Sequence, residues 1–500
     1  MHVFPYTKDA LFLACSSELF SLERVNKHER AHYLHRYLDR LGAATLVVEE
    51  HYTDGDYLDD YANYYVRSFR DYARRCKRLH FFSTGFDSGS LREMLRGRSY
   101  EALQANYLGF SVIRPLPNAI FGRTVLKTYP ESVTRKYPAT RPYAANLYGA
   151  ELTVDSLAFQ EQDTVVAACA TVALWSAFQK TSELFGSRRP TPAEITRLAT
   201  ASTFHSRPMP SRGLSLAQMA RAIKDVGLEP EVIEARPGVP MLSLIYGYLT
   251  FGIPVVLGIE IEGHGAHAVT VTGYSLTDSL HLTYEHENPP HLEPNRIGLR
   301  IDQLFLHDDG FGPFVKVATV AQKLPVKQGS VIRFEGTWNL PSANGKKPKP
   351  AKLVPLYAIV PTYHKIRLTF LDVQPWIVGI NSVALQTMAN RSASEWETCL
   401  ISNSQLKHAV KDWGLGQAKL EEMLYKPLPR FLWRATLRIS RAPALELIFD
   451  ATGIARSFSV VAAVFRHEGF REAMKPVLQQ ASVRGRLSEA FTDLLITAAE

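Results

Sequence analysis

Two stretches decide how this 500-residue chain is read. The first is Gln162-Asp163-Thr164-Val165-Val166-Ala167-Ala168-Cys169-Ala170-Thr171-Val172-Ala173-Leu174-Trp175; the second is Gly263-His264-Gly265-Ala266-His267-Ala268-Val269-Thr270-Val271-Thr272-Gly273-Tyr274. In the first, a cysteine among small residues opens an apolar run of helical character over 167–184. In the second, a histidine opens an alternating run that reads as a strand and closes on Gly-Tyr. A nucleophile and a base are thereby offered from separate elements of one fold.

A thiol attacks as the thiolate, which a helix N-terminus and a nearby imidazolium both stabilise. Cys169 suits the first effect, with Asp163 and Thr164 as candidate caps. Ala167, Ala168 and Ala170 leave room for a substrate backbone. The plain alternative is a buried cysteine acting as a small hydrophobe. His267 would sit on a rigid strand edge, whereas His264, in a glycine-flanked turn, suits exposure or substrate contact. A hydrogen-bonded strand-end histidine is the plain alternative for His267.

A third group should orient the imidazole. Asp308, in Leu304-Phe305-Leu306-His307-Asp308-Asp309-Gly310, ends a strand-like run and is the first choice, with Asp309 and Asn288 as alternatives. The same residues would also suit an Asp-Asp-Gly turn. An oxyanion donor is expected just before the nucleophile. Gln162 lies seven positions upstream of Cys169, with Gln160 two further back. Either could instead be a polar loop residue.

Around these stretches the elements are expected as follows. Residues 43–49, 79–83 and 107–115 read as strands, and 56–75 as an aromatic-rich helix whose tyrosines form a packed face. Thr191-Pro192-Ala193-Glu194 and Ser215-Leu216-Ala217-Gln218 start helices, and Gly227 ends the second. A short helix over 240–248 precedes strands at 255–261 and 268–273. Further on, 353–359, 365–371, 432–439 and 444–449 read as strands, 395–413 as a helix, and helices close the chain. Ser342 to Lys352 is expected to be a solvated loop. The acidic residues between Glu49 and Asp60 lack a cation-loop pattern.

Composition narrows the function classes. The chain is 46% hydrophobic and 21% charged with a formal net charge of +8. Basic residues are scattered, without the arginine-rich helix or aromatic-basic ladder of a nucleic-acid binder. The four cysteines, Cys15, Cys76, Cys169 and Cys399, include no C-x-x-C pair, so neither a disulfide framework nor a zinc module is expected, and a reducing compartment fits. Residues 1–20 carry Lys8, Asp9 and Glu18, unlike a signal peptide, and no run approaches the roughly 20 apolar residues of a membrane span. No dinucleotide, nucleotide or zinc-hydrolase motif occurs. A cytoplasmic protein is expected, without cofactor or metal.

At Gln162-Asp163, Cys169, the strand entry Gly252-Ile253-Pro254-Val255-Val256, and His267-Ala268-Val269 running to Gly273-Tyr274, the chain resembles papain-like cysteine peptidases. Within them it is most similar to the bacterial branch of double-glycine leader peptidases that process bacteriocins. The resemblance spans about residues 150–320. It implies Cys169 as nucleophile, His267 as base, an Asp or Asn as orienter and Gln162 in the oxyanion hole. Two departures stand out: that branch usually carries Asp-Cys-Gly where this chain has Ala-Cys-Ala, and the Gln-to-Cys spacing is one residue longer. The exporter's membrane and nucleotide-binding parts have no counterpart here.

The expected fold class is α+β: an N-terminal α/β accessory domain (1–145), a papain-like domain with a helical half followed by an antiparallel sheet (146–325), and a C-terminal α+β domain (326–500). The expected activity is a thiol hydrolase cleaving a peptide or isopeptide bond in a peptide or protein substrate through a Cys acyl-enzyme. An acyltransferase or transglutaminase-like enzyme with the same triad, or an inactive papain-like binding module, are the competing readings.

Overall fold

A computed structural model describes residues 2–98, 100–163, 165–201, 213–236, 238–263, 265–279, 293–326, 329–339, 350–388, 394–454, 459–484 and 486–500. Thr164, His264, Asn288 and most of the 342–352 loop therefore lie outside the described residues. The protein is mixed α+β, and among the described residues the sheets are antiparallel.

The N-terminal sheet contains His2–Pro5, Thr45–Tyr52, Cys76–Phe82, Tyr107–Ile113 and Phe121–Leu126, each strand beside its successor in the chain. Side chains alternate across it. Leu46, Val48, Leu79 and Phe81 pack with Leu11, Phe12, Leu34 and Leu38 of the helices Lys8–Cys15 and Glu29–Arg40. Val47, Phe82, Val112 and Val125 face the other way, into a core shared with Leu174, Trp175 and Phe178 of the helix Cys169–Phe185. One sheet thus joins the N-terminal helices to the element that carries the cysteine.

The central sheet is a ring. Val255–Ile261, Gly265–Leu276, Ile301–Asp308, Gly312–Val326, Gly329–Asn339 and Pro350–Tyr363 pair in sequence, and Pro350–Tyr363 pairs back onto Val255–Ile261. Closure removes the free edges of these six strands. Leu228–Glu234 adds to the outer side of Pro350–Tyr363. The C-terminal sheet comprises Ser394–Ser402, Phe431–Ile439, Ala442–Asp450 and Val460–Phe465. Its Trp433, Leu437 and Leu445 share a core with the central strands and with the helices Phe370–Ala384 and Glu489–Ala499.

Several expectations need correction. The helix expected over 56–75 runs only Gly55–Asn63, where Asn63 Nδ2 bonds back to the Asp59 carbonyl; a short turn, Tyr65–Arg67, follows. Tyr57 and Tyr65 are buried, whereas Phe69 is fully exposed. Residues 365–371 are not a strand: the N–H groups of Arg367 and Leu368 both bond to the Ala451 carbonyl, and a Thr369–Asp372 capping box starts a helix at Phe370. The helix expected over 395–413 is a strand, Ser394–Ser402, followed by the helix Asn403–Val410. The N-terminal part, expected as an α/β domain, is a meander of antiparallel strands with helical connections. Both expected domain boundaries fall within hairpins: 145/146 inside Arg141–Leu147, paired with Ala150–Ser156, and 325/326 inside Gly312–Val326, paired with Gly329–Asn339.

Candidate active site

Cys169 is the first residue of a 17-residue helix whose N-cap, Ala168, is extended and makes no side-chain cap bond. The helix therefore presents uncapped N–H groups and its positive end at the thiol. Asp163 does not cap this helix. Its Oδ1 accepts from the N–H groups of Val165, Val166 and Ala167 at 3.0, 2.8 and 2.8 Å, and Oδ2 accepts from Tyr65 Oη at 2.8 Å. Asp163 thus shapes the turn that delivers Ala168 and Cys169. The Thr196 hydroxyl, donating to the Val166 carbonyl at 2.7 Å, fixes the same turn from the next helix.

His267 lies near the start of the strand Gly265–Leu276, which crosses the cysteine helix. The Thr270 hydroxyl, wholly buried, donates to the Ala173 carbonyl at 2.8 Å, one helical turn beyond Cys169. That bond locks the strand to the helix. His267 Nε2 lies 3.1 Å from Asp308 Oδ1 and 3.5 Å from Asp309 Oδ1. The Cys169 side chain is close enough to the imidazole to favour its charged form. With Nε2 taken by the carboxylates, Nδ1 is the nitrogen left for sulfur.

Burial works against charge on this ring, but Asp308, the neighbouring Cys169 and Asp309 outweigh it and push His267 up to about 11. The imidazole is an imidazolium at neutral pH. Asp309 is pushed up to about 7, first by burial and then by the adjacent Asp308 charge, with His267 and Arg30 opposing. Asp308 Oδ2 and both Asp309 carboxylate oxygens are buried without a hydrogen-bond partner. His267, Asp308 and Asp309 bring potential ligand atoms within 4.8 Å of one another, the one such group among the described residues.

The structure brings Cys169, His267 and Asp308 together and adds Asp309 as a second carboxylate. Gln162 is half-buried in the loop before the helix, with no bond fixing its amide toward the thiol. Gln160 is 2% exposed, and its Nε2 is unpartnered. With Ser176, His307 and Asp309, it lines a cavity of about 10 Å³ on the carboxylate side of the site. The other three thiols are held protonated, chiefly by burial: Cys15 and Cys399 are pushed up to about 12, and Cys76 higher still.

Sequence reasoning missed Thr270, Arg30 and Glu161. Arg30 donates from Nε to the Asp309 carbonyl at 2.7 Å and pairs through Nη1 with Glu161 at 2.9 Å. No local pattern marks such pairs, because their partners lie far away in the chain. No protein-family model matches this chain, and no curated protein matches it in sequence.

Proposed function

We propose that the protein is a papain-like thiol hydrolase that cleaves a peptide or isopeptide bond through a Cys169 acyl-enzyme. The observation that carries this reading is a set of three neighbouring groups: a thiol at an uncapped helix N-terminus, an imidazole close enough for the thiol to favour its charge, and a buried carboxylate on the imidazole's Nε2. The order and roles are those of nucleophile, base and orienter.

Because His267 is held protonated, it enters the reaction as an acid. The Cys169 thiolate attacks the substrate carbonyl, forming a C–S bond and an oxyanion that the Cys169 backbone N–H and a Gln162 amide swung toward it would receive. As the C–N bond breaks, His267 gives its proton to the leaving amine. The now neutral imidazole takes a proton from water, the resulting hydroxide attacks the thioester, and the C–S bond breaks. Asp308 keeps Nε2–H oriented through both halves and stabilises the imidazolium.

Alkylation with iodoacetamide tests this directly. Cys169 in the folded wild type should be modified far faster than Cys15, Cys76 and Cys399, and His267→Ala should slow it by roughly 100-fold near neutral pH. Equal rates in wild type and His267→Ala would sink the proposal.

A further inference from the structure

We infer that Arg30 is a positioning residue for the cysteine site, tying the loop that precedes the nucleophile to the turn that carries the paired aspartates. The inference rests on the proposed thiol chemistry and extends the site into the N-terminal sheet and its helices.

Arg30 lies in the first turn of Glu29–Arg40 and spends its two sides on different loops. Nη1 reaches Glu161 Oε1 at 2.9 Å, and Nε donates to the Asp309 carbonyl at 2.7 Å. Glu161 immediately precedes Gln162, the proposed oxyanion donor, and Asp309 immediately follows Asp308. The strut therefore spans the two segments between which sulfur and imidazole meet.

Glu161 is a junction. Its side chain is 1% exposed and takes Arg30 Nη1, His28 Nε2 at 3.2 Å and the Phe121 N–H at 3.0 Å, while its carbonyl accepts from Arg114 Nη2 at 2.7 Å. Burial alone would raise its pKa, yet Arg30 and His28 outweigh burial and hold the carboxyl below the usual range. The same helix grips the far side of the aspartate turn: Tyr33 Oη donates to the Pro313 carbonyl at 2.7 Å, and a Cβ at Gly312 would collide with the Tyr33 ring. A guanidinium can bridge two acceptors in fixed directions; a lysine ammonium, at the end of a flexible stem, holds the charge without that fork.

The test measures the Cys169 alkylation rate by iodoacetamide from pH 5 to 10 in full-length wild type, Arg30→Lys, Glu161→Gln and a control, Lys27→Gln. Lys27 forms an exposed pair with Glu23 on the preceding segment. The titratable groups around the thiol and the strut are His267, Asp308, Asp309, Glu161 and His28, with Arg30 and Arg114 as the fixed charges facing them. Arg30→Lys should stay folded, slow alkylation at neutral pH by roughly 10- to 100-fold and displace the pH profile. Glu161→Gln should displace it in the same direction, and Lys27→Gln should leave it unchanged.

A folded Arg30→Lys protein with the wild-type rate and profile overturns the inference while leaving the thiol chemistry intact. A wild-type thiol indifferent to His267→Ala overturns the catalytic reading and this inference with it. Should Arg30→Lys lose its fold, Glu161→Gln decides alone: a displaced profile supports the strut, and a wild-type profile overturns it.

Discussion

Two carboxylates on one imidazole are the feature of this site that a lone orienting residue would not need. Asp308 meets Nε2, and Asp309, the next residue, sits buried beside it, with Oδ1 3.5 Å from the same nitrogen and neither oxygen hydrogen-bonded. Two adjacent negative charges in a dry setting oppose ionisation, so Asp309 holds its proton to about pH 7. The native state then binds more protons than the unfolded chain between the usual aspartate range and pH 7, and stability falls as pH rises through that interval. Asp309→Asn should therefore gain on the wild type as pH goes from 4 to 7, by on the order of 1–3 kcal/mol, and hold that gain above it. Urea unfolding at several pH values reads this; a difference that does not grow with pH would contradict it. At this scale the sequence was legible where a residue's own neighbours define its role. Cys169 opens its helix, His267 its strand, and Asp308 closes the next strand. It was silent where the role is set by a partner far along the chain, as for Glu161 and Arg30, or Thr270 and Ala173. The expected cap Asp163 proved to serve the preceding turn, because its oxygens reach N–H groups ahead of the helix.

Capped elements were read well because a cap is a local signal. Thr191 accepts from the Glu194 N–H, Ser215 and Gln218 form a full reciprocal box, and Gly227 takes the left-handed conformation after its helix. The strand Ser394–Ser402 was misread for the opposite reason. Glu395 and Glu397 favour a helix in isolation, but here they pair with Arg300 and Arg438 while Trp396, Thr398 and Leu400 turn inward. Tertiary ion pairs and a buried alternate face override propensity. The histidine strand offers an element-level test. A Cβ on Gly273 would sit 2.5 Å from the Lys136 carbonyl oxygen and 2.6 Å from the Tyr137 ring. Lys136 is itself paired to Tyr274 in the adjoining ladder, so its carbonyl has little freedom to retreat. Gly273→Ala should cost about 1–3 kcal/mol, read by chemical denaturation, and a neutral effect would show that the ladder yields.

At the scale of the whole molecule, the elements bearing Cys169, His267 and Asp308, which the linear reading placed in one domain, rest on segments it placed in the two others. The helix bearing Cys169 packs beneath the N-terminal sheet, and the strands bearing His267 and Asp308 belong to a ring completed only by Gly329–Asn339 and Pro350–Tyr363. A chain ending at residue 325 lacks both closing strands and leaves Val255–Ile261 unpaired on one side. It should fail to unfold cooperatively in a thermal melt followed by circular dichroism, whereas the full chain should show a sharp transition. A cooperative melt of the shortened chain would mean that ring closure is dispensable. Among the described residues, no helix is long and apolar enough to cross a membrane. The sequence by itself determined that Cys169 opens a helix, that His267 and Asp308 lie at strand ends, the helix caps and the strands on either side of the histidine. Each of these is written in residues within a turn or two of one another. Only the tertiary structure decided that the ring closes, that a second carboxylate and an arginine from the N-terminal helix join the site, and that the expected boundaries cut through hairpins. Those outcomes depend on pairing between segments a hundred or more residues apart, whose energies come from burial and geometry that no local pattern encodes.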